Sequence, residues 1–334
     1  MKYLITGGCG FVGSHLADLL IGQGHSVMVI DDLTTGGIQN ILHLKSAKGF
    51  QYVIDSVLNE PLLAEMVDQA DGIFHLAAVV GVRIVVEEPI RTITTNIDCT
   101  NVVLKHASKK GKKVLLASTS EVYGKSNKIP YREDQDLLYG PTTKSRWSYA
   151  YSKAVDEFLG LAHFQTRALP VVIVRLFNTV GPRQTGNYGM VIPRFVQQAM
   201  MGESLTVHGD GTQSRCFCHV ADVTKALARL METPAAAGEI FNLGSDEEIT
   251  IMRLAEVVRK ATGSEAPITL VPYEQAYAVG FEDMQRRIPD LTKIRKAIGF
   301  QPTHNLEKIV ADVVAYTRTR LGMGSAAEKT TDGR

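Results

Sequence analysis

Two short segments of this chain carry groups able to move protons. Ala117-Ser118-Thr119-Ser120-Glu121-Val122-Tyr123-Gly124 places hydroxyls and a carboxylate at the end of an apolar run, and Tyr149-Ala150-Tyr151-Ser152-Lys153 places a phenol four residues before an ammonium. On a helix, positions i and i+4 share a face, so a helical segment would set Tyr149 beside Lys153. The ammonium favours the phenolate and lowers the phenol pKa from about 10 toward neutrality, which makes Tyr149 a usable base.

A third segment binds anions. Gly7-Gly8-Cys9-Gly10-Phe11-Val12-Gly13 fits Gly-x-x-Gly-x-x-Gly from Gly7 and Gly-x-Gly-x-x-Gly from Gly8. Glycine is needed where the backbone approaches a pyrophosphate closely and the free amides of a helix N-terminus hold it. Asp31 closes the next strand, where a carboxylate accepts both adenosine ribose hydroxyls and repels a 2'-phosphate, so NAD is expected over NADP. Asp32 reads as an acidic loop residue or a second cofactor contact, and Asp55 as an adenine contact or a surface turn.

These groups require a scaffold, and the pattern supplies one. Lys2 to Thr6 is a short apolar strand, Ser14 to Gln23 a helix with Leu16, Leu19 and Leu20 on one face, and Ser26 to Ile30 a second strand. Further strands are expected at 51–54, 72–76, 113–118 and 170–176, with helices at 61–69, 89–109 and 149–167. Strands that are nearly all apolar belong to a sheet covered on both faces, so the fold class is α/β with a Rossmann-type, doubly wound parallel sheet. Residues 1–178 form the NAD-binding domain, with a return segment near 220–244. Residues 179–320, broken by Gly181-Pro182-Arg183, Gly186-Asn187-Tyr188-Gly189 and Gly209-Asp210-Gly211, form mainly a smaller C-terminal substrate-binding α/β domain. Residues 322–334 are polar and unpatterned and read as a disordered tail.

Composition excludes several partners. Thirty-six Lys and Arg against 35 Asp and Glu leave no basic field for nucleic acid or an anionic membrane, so an anionic substrate must be held by local arginines. No run of about 18 apolar residues appears and the N-terminus enters a strand directly, so the protein is expected in the cytoplasm. Cys9, Cys99, Cys216 and Cys218 are too few and scattered for a disulfide framework. Cys216 and Cys218 could be a metal pair, but no second pair stands at ligand spacing; they read as buried thiols, and no metal is expected.

Taken together, the glycine turn, His75-Leu76-Ala77-Ala78, Ser118-Thr119-Ser120-Glu121, Tyr149-x-x-x-Lys153, Arg175 to Arg183, Gly209 to Arg215 and Pro289-Asp290 resemble the extended short-chain dehydrogenase/reductase family, specifically its nucleotide-sugar epimerases, dehydratases and decarboxylases. The resemblance covers nearly the whole chain. It implies that Tyr149 takes the proton of the sugar C4 hydroxyl while hydride passes from C4 to nicotinamide, that Lys153 holds the nicotinamide ribose, and that Thr119 hydrogen-bonds the same hydroxyl. NAD would be bound tightly and regenerated. Gly7, Gly10, Phe11, Val12, Gly13, Asp31, Asp32, Asp55, Ser56, Leu76, Ala77, Ala78, Asn96, Ala117, Tyr149, Lys153 and Val180 are the implied cofactor contacts.

The same resemblance bears on the second half of the reaction. Simple 4-epimerases of the family carry no acid at Glu121, and dTDP-glucose 4,6-dehydratases carry an Asp where this chain has Ser120. Thr-Ser-Glu is similar to UDP-glucuronate decarboxylases and to GDP-mannose 4,6-dehydratases, and the features for NAD favour the former. Thr212-Gln213-Ser214-Arg215-Cys216-Phe217 resembles the decarboxylase segment with an arginine near the sugar carboxylate, so Glu121 and Arg215 are expected to manage decarboxylation of UDP-glucuronate to UDP-xylose or its 4-keto form. Arg215 also suits the diphosphate, and Glu121 could be a structural acid. Ser148 to Lys153 looks like the epimerase and dehydratase form, which keeps a UDP-sugar 4-epimerase or a dehydratase as alternatives. A non-catalytic NAD-binding protein is disfavoured because Thr119, Tyr149 and Lys153 are all present.

Ser120, Asn178, Arg183, Val191, Arg194, Thr206, Arg215 and Arg287 are the implied substrate contacts for a nucleotide sugar, expected to be UDP-linked. Arginine suits a diphosphate because its planar fork binds two oxygens; Arg194 and Arg287 could equally be solvated charges. His75 is expected to pack at a strand end without binding metal. Trp147 either lines the site or packs. The apolar faces of Asn96 to His106 and Ala154 to Phe164 either form a helical bundle in a homodimer or cover the sheet.

Overall fold

The computed structural model describes residues 1–186, 190–276 and 284–323. The first half alternates strand and helix: β1 (Lys2–Thr6), α1 (Phe11–Gly22), β2 (Ser26–Asp31), β3 (Phe50–Ile54), α2 (Glu60–Gln69), β4 (Gly72–His75), α3 (Val82–Glu87), α4 (Pro89–Lys110), β5 (Lys113–Thr119), α5 (Ser148–Arg167) and β6 (Val171–Leu176). Alternate residues of each strand point to opposite faces. Ile5, Val29, Phe74, Leu115 and Val172 enter one apolar core; Leu4, Met28, Ile73, Val114 and Ile173 enter the other. Burial on both faces is the reason these strands read as continuous apolar runs.

The second half supplies β7 (Thr179–Val180), α6 (Val191–Met201), β8 (Leu205–His208), β9 (Ser214–Cys216), β10 (Cys218–His219), α7 (Val220–Glu232), β11 (Ile240–Leu243), β12 (Glu248–Thr250), α8 (Ile251–Thr262), β13 (Ile268–Val271), α9 (Tyr273–Ala276), α10 (Thr292–Ile298) and α11 (Leu306–Arg320). The main sheet has seven parallel strands in the order β11-β6-β5-β4-β1-β2-β3. Chain order reverses between β1 and β4, and a crevice at such a switch is where an open α/β sheet binds its ligand. Val223, Leu227 and Leu230 of α7 with Ile294 and Ile298 of α10 join the core on the α1 side.

A smaller α/β unit forms around Ile192, Phe195, Leu205, Leu254, Ile309 and Val313, with β8 and β13 paired in parallel beside α6, α8 and α11. The expected tail begins at Gly322; residues 324–334 lie outside the described residues, as do residues 187–189 of the expected glycine-rich loop. Helix α1 starts at Phe11, three residues before the expected Ser14, because the Gly10 and Gly13 that flank Phe11 and Val12 make the first helical turn read as part of the glycine-rich loop.

Candidate active site

Between β1 and α1 the backbone bends too tightly for side chains. Gly7 has φ +72°, and a Cβ there would lie 2.8 Å from the Ala77 amide nitrogen; a Cβ on Gly13 would lie 2.3 Å from the Gly7 carbonyl oxygen. Both sites therefore exclude alanine. Asp31 stands where β2 ends, its Oδ2 accepting from the Cys9 amide at 2.9 Å and Oδ1 from the Leu33 amide at 2.8 Å. Burial pushes its carboxyl above the ordinary range while these amides oppose the shift. A bare glycine cradle at a helix N-terminus with a fixed carboxylate one strand away fits the pyrophosphate and adenosine ribose of a dinucleotide.

The end of β5 is held by a buried ionic network. Arg175 on β6 makes a two-pronged contact with Glu157 on α5, Nε to Oε1 at 3.0 Å and Nη2 to Oε2 at 2.7 Å, and Ser118 donates to the same carboxylate. The Arg175 guanidinium lies 4.8 Å over the Tyr123 ring, whose hydroxyl donates to Asn242 Oδ1 on β11 at 2.7 Å. This clamp anchors the short turn Ser120–Tyr123 on both sides. Thr119 caps that turn, its Oγ1 accepting from the Glu121 amide at 3.2 Å, so its own hydroxyl proton is left to point elsewhere.

Glu121, Thr119, Ser120, Tyr149, Lys153, Arg215 and Arg287 all line one cavity of about 580 Å³ that continues to the glycine turn. Tyr149 and Lys153 occupy the first turns of α5. Lys153 is 2% exposed and donates to Asp156 Oδ2 at 2.7 Å. Arg287 Nη1 lies 3.9 Å from Glu121 Oε1. Arg215 is held differently, donating from Nη1 to the carbonyls of Ser214 at 2.7 Å and Gln285 at 3.2 Å. At the far end Arg194 meets His208 Nε2 at 2.8 Å and the Thr206 carbonyl at 3.0 Å. Burial, then the Arg194 charge, pushes His208 down to about 4, so it is neutral at pH 7. Arg183 reaches Asp18 on α1 at 2.7 Å, and Asn178 donates to the Cys216 carbonyl at 2.9 Å.

Of the residues singled out from sequence, Gly7, Gly10, Phe11, Val12, Gly13, Asp31, Asp32, Ser56, Leu76, Ala77, Ala78, Ala117, Asn178, Val180, Arg183, Val191 and Arg194 line the cavity with those above. Three stand behind its wall. Asp55 turns back to the Ser56 amide at 2.7 Å and Asn59 Nδ2 at 2.8 Å, so it shapes the loop carrying Ser56. Asn96 is buried and accepts from the Val79 amide at 2.7 Å. The Thr206 hydroxyl accepts from Gln198 Nε2 at 2.9 Å. Arg286, next to Arg287 in the chain, forks onto Glu248 at 2.7 Å for both contacts, away from the cavity. Trp147 and His75 are buried outside the lining, and all four cysteines are buried free thiols. Sequence reasoning missed His208, Gln213 and Tyr273 in the wall; His208 closes a strand just before Gly209-Asp210-Gly211, a position that could have drawn notice.

A Rossmann-type sheet with a glycine cradle at its switch point, opening into the cavity that holds Tyr149 and Lys153, defines an NAD-dependent enzyme of the α/β class. The model of the NAD dependent epimerase/dehydratase family matches residues 3–244, and the chain belongs to that family, with NAD as cofactor. It is 42% identical to the UDP-N-acetyl-alpha-D-glucosaminuronate decarboxylase of Bacillus cytotoxicus, covering 95% of this chain and 98% of that protein. It is 36% identical to UDP-glucuronic acid decarboxylase 1 of Danio rerio over 94% of this chain and 72% of that protein. It is similar to the crystal structure of UDP-glucuronic acid 4-epimerase from Bacillus cereus in complex with UDP-glucuronic acid and NAD, with TM-score 0.86, 27% identity and coverage of 96% of this chain and 100% of that one.

Proposed function

We propose that this protein decarboxylates a UDP-linked hexuronate, UDP-glucuronate in the first instance, to UDP-xylose or its 4-keto form. The observation that carries the reading is Arg287 beside Glu121 in the cavity that also holds Tyr149. A guanidinium there can bind the sugar carboxylate, and the acid can handle a proton at C5. The two curated relatives above bear the names of uronate decarboxylases.

In this reading Tyr149 removes the proton of the C4 hydroxyl, Lys153 favours the phenolate, and Thr119 orients the hydroxyl through its free proton. NAD, when bound, supplies the hydride acceptor at C4 and later the donor. The C4 ketone makes the sugar a β-keto acid: the C5–C6 bond breaks, carbon dioxide leaves, and the electron pair moves onto the ketone oxygen. Glu121 then passes to C5 a proton taken up from solvent, the one the decarboxylation consumes, while Tyr149 returns its proton to the C4 oxygen on reduction. Arg287, with Arg215 as a second candidate, holds the carboxylate before it leaves.

Cofactor regeneration goes with tight retention of NAD. Tyr151, Val155 and Phe158 on α5 and Ile90 and Ile93 on α4 are exposed, which supports a homodimer through these helices. Free thiols suit the cytoplasm, and among the described residues no helix is long and apolar enough to cross a membrane.

Purified protein with NAD and UDP-glucuronate, or its 2-N-acetyl analogue, should release carbon dioxide and yield a nucleotide pentose lighter by that mass. The 4-epimerase is the second reading, favoured by the likeness to the solved UDP-glucuronic acid 4-epimerase; a product of unchanged mass inverted at C4 would replace decarboxylation with it.

A further inference from the structure

Lys153 has a buried counter-ion that the chemistry above does not use. Asp156, one turn further along α5, accepts from Lys153 Nζ at 2.7 Å, and the two side chains are 0% and 3% exposed. A charged pair at that depth is a weak source of stability, since a well-packed apolar pair of similar volume folds as well. The carboxylate is also held incompletely: among the described residues its Oδ1 is buried with no hydrogen-bond partner. Burial pushes the Asp156 carboxyl above the ordinary range, and the Lys153 ammonium, then Thr100 on α4, oppose that shift and favour the charged form. The Thr100 hydroxyl meets His75 Nε2 at 3.2 Å, and His75 Nδ1 meets Thr6 Oγ1 at 2.7 Å. A polar chain thus runs from the end of β1, beside the glycine turn, to Thr100, the α4 hydroxyl that acts on Asp156.

We propose that Asp156 is a positioning residue for the Tyr149–Lys153 pair: its carboxylate holds the ammonium at fixed depth, offsets part of its charge, and so sets the pH at which the pair gives up its first proton. The inference rests on Tyr149 acting as the base and is independent of which uronate is consumed. Removing a negative charge makes the coupled pair release its first proton more readily, whichever atom it leaves. The groups around the pair do not obscure this step. His75 of β4 is pushed down to about 3 by burial and by the Lys153 charge, and Cys99 of α4 is pushed up to about 12 by burial. Glu157, next to Asp156 on α5, is paired with Arg175 of β6.

The test titrates full-length protein labelled with carbon-13 at tyrosine Cζ and lysine Cε, with Tyr149→Phe and Lys153→Met assigning the two signals. Asp156→Asn is expected to move the first step down by about one pH unit, and Asp156→Glu to restore it. Should Asp156→Asn fail to fold, Thr100→Val takes its place, with an expected downward shift of about half a unit. A folded Asp156→Asn, or Thr100→Val in its stead, that lowers the melting temperature without moving the step would make Asp156 a structural ion and overturn the proposal. The readout needs no substrate, so absence of turnover on either UDP-uronate would count against the proposed reaction and leave this result standing.

Discussion

Arg287 Nη1 stands 3.9 Å from Glu121 Oε1, a contact that joins the segment before α10 to the turn after β5 and brings opposite charges together in the cavity that holds Tyr149. Both groups are largely enclosed, with side-chain exposures of 9% and 15%, so their interaction is weakly screened by salt.

If Arg287 binds the substrate carboxylate, Arg287→Met should lower kcat/KM for UDP-glucuronate by about ten- to a hundredfold, the loss of a charge-assisted hydrogen bond worth about 1.5–3 kcal/mol. Binding of UDP alone should change little. Steady-state kinetics with calorimetry on UDP checks both; a variant with unaltered kcat/KM assigns the carboxylate to Arg215.

Removal of the phenol separates the steps of the reaction. Tyr149→Phe should lose at least about a hundredfold in turnover and show no transient nicotinamide absorbance on mixing with substrate. Glu121→Gln should keep that transient and lose carbon dioxide release. A Glu121→Gln variant lacking the transient as well would place the acid in the first step.

The glycine cradle leaves no room for a methyl group. Gly13→Ala puts a Cβ 2.3 Å from the Gly7 carbonyl, so the turn must open, and added NAD should no longer raise the melting temperature. Wild-type protein should gain about 2.7 kcal/mol at a hundredfold excess over Kd. Thermal melts with and without NAD measure the difference.

Acid should destabilise the fold through its buried neutral histidines. His75 is pushed down to about 3 and His219 to about 4, both chiefly by burial. The unfolded chain takes up these protons near pH 6.5 and the folded protein does not, so stability is full above about 6.5 and falls as the pH drops toward 4 and then 3. The urea midpoint should decline over that window, and His75→Gln should flatten the decline; an equal slope in the variant would shift the cause to other groups.

Local chemistry carries through folding unchanged, and that part was legible. A glycine turn between an apolar strand and a helix, Asp31 at the next strand end, and Tyr149 four residues before Lys153 are relationships within a few turns of chain, governed by backbone sterics and helix period. The apolar runs likewise declared a sheet covered on both faces. Distant pairings were not legible. Arg286 and Arg287 are neighbours of one type, yet one forks onto Glu248 on β12 and the other faces Glu121. Asp55, Asn96 and Thr206 stand beside cavity residues with their polar atoms turned to neighbouring backbone and side chains, and Asp156 resembles a solvated helix charge until α4 closes over it. The sequence by itself determined the glycine cradle and the placing of Tyr149 and Lys153 on one helix, because short-range geometry decides both. Tertiary structure alone decided which arginine meets the acid and which carboxylate backs the lysine, because burial and charge pairing depend on elements that only the fold brings together.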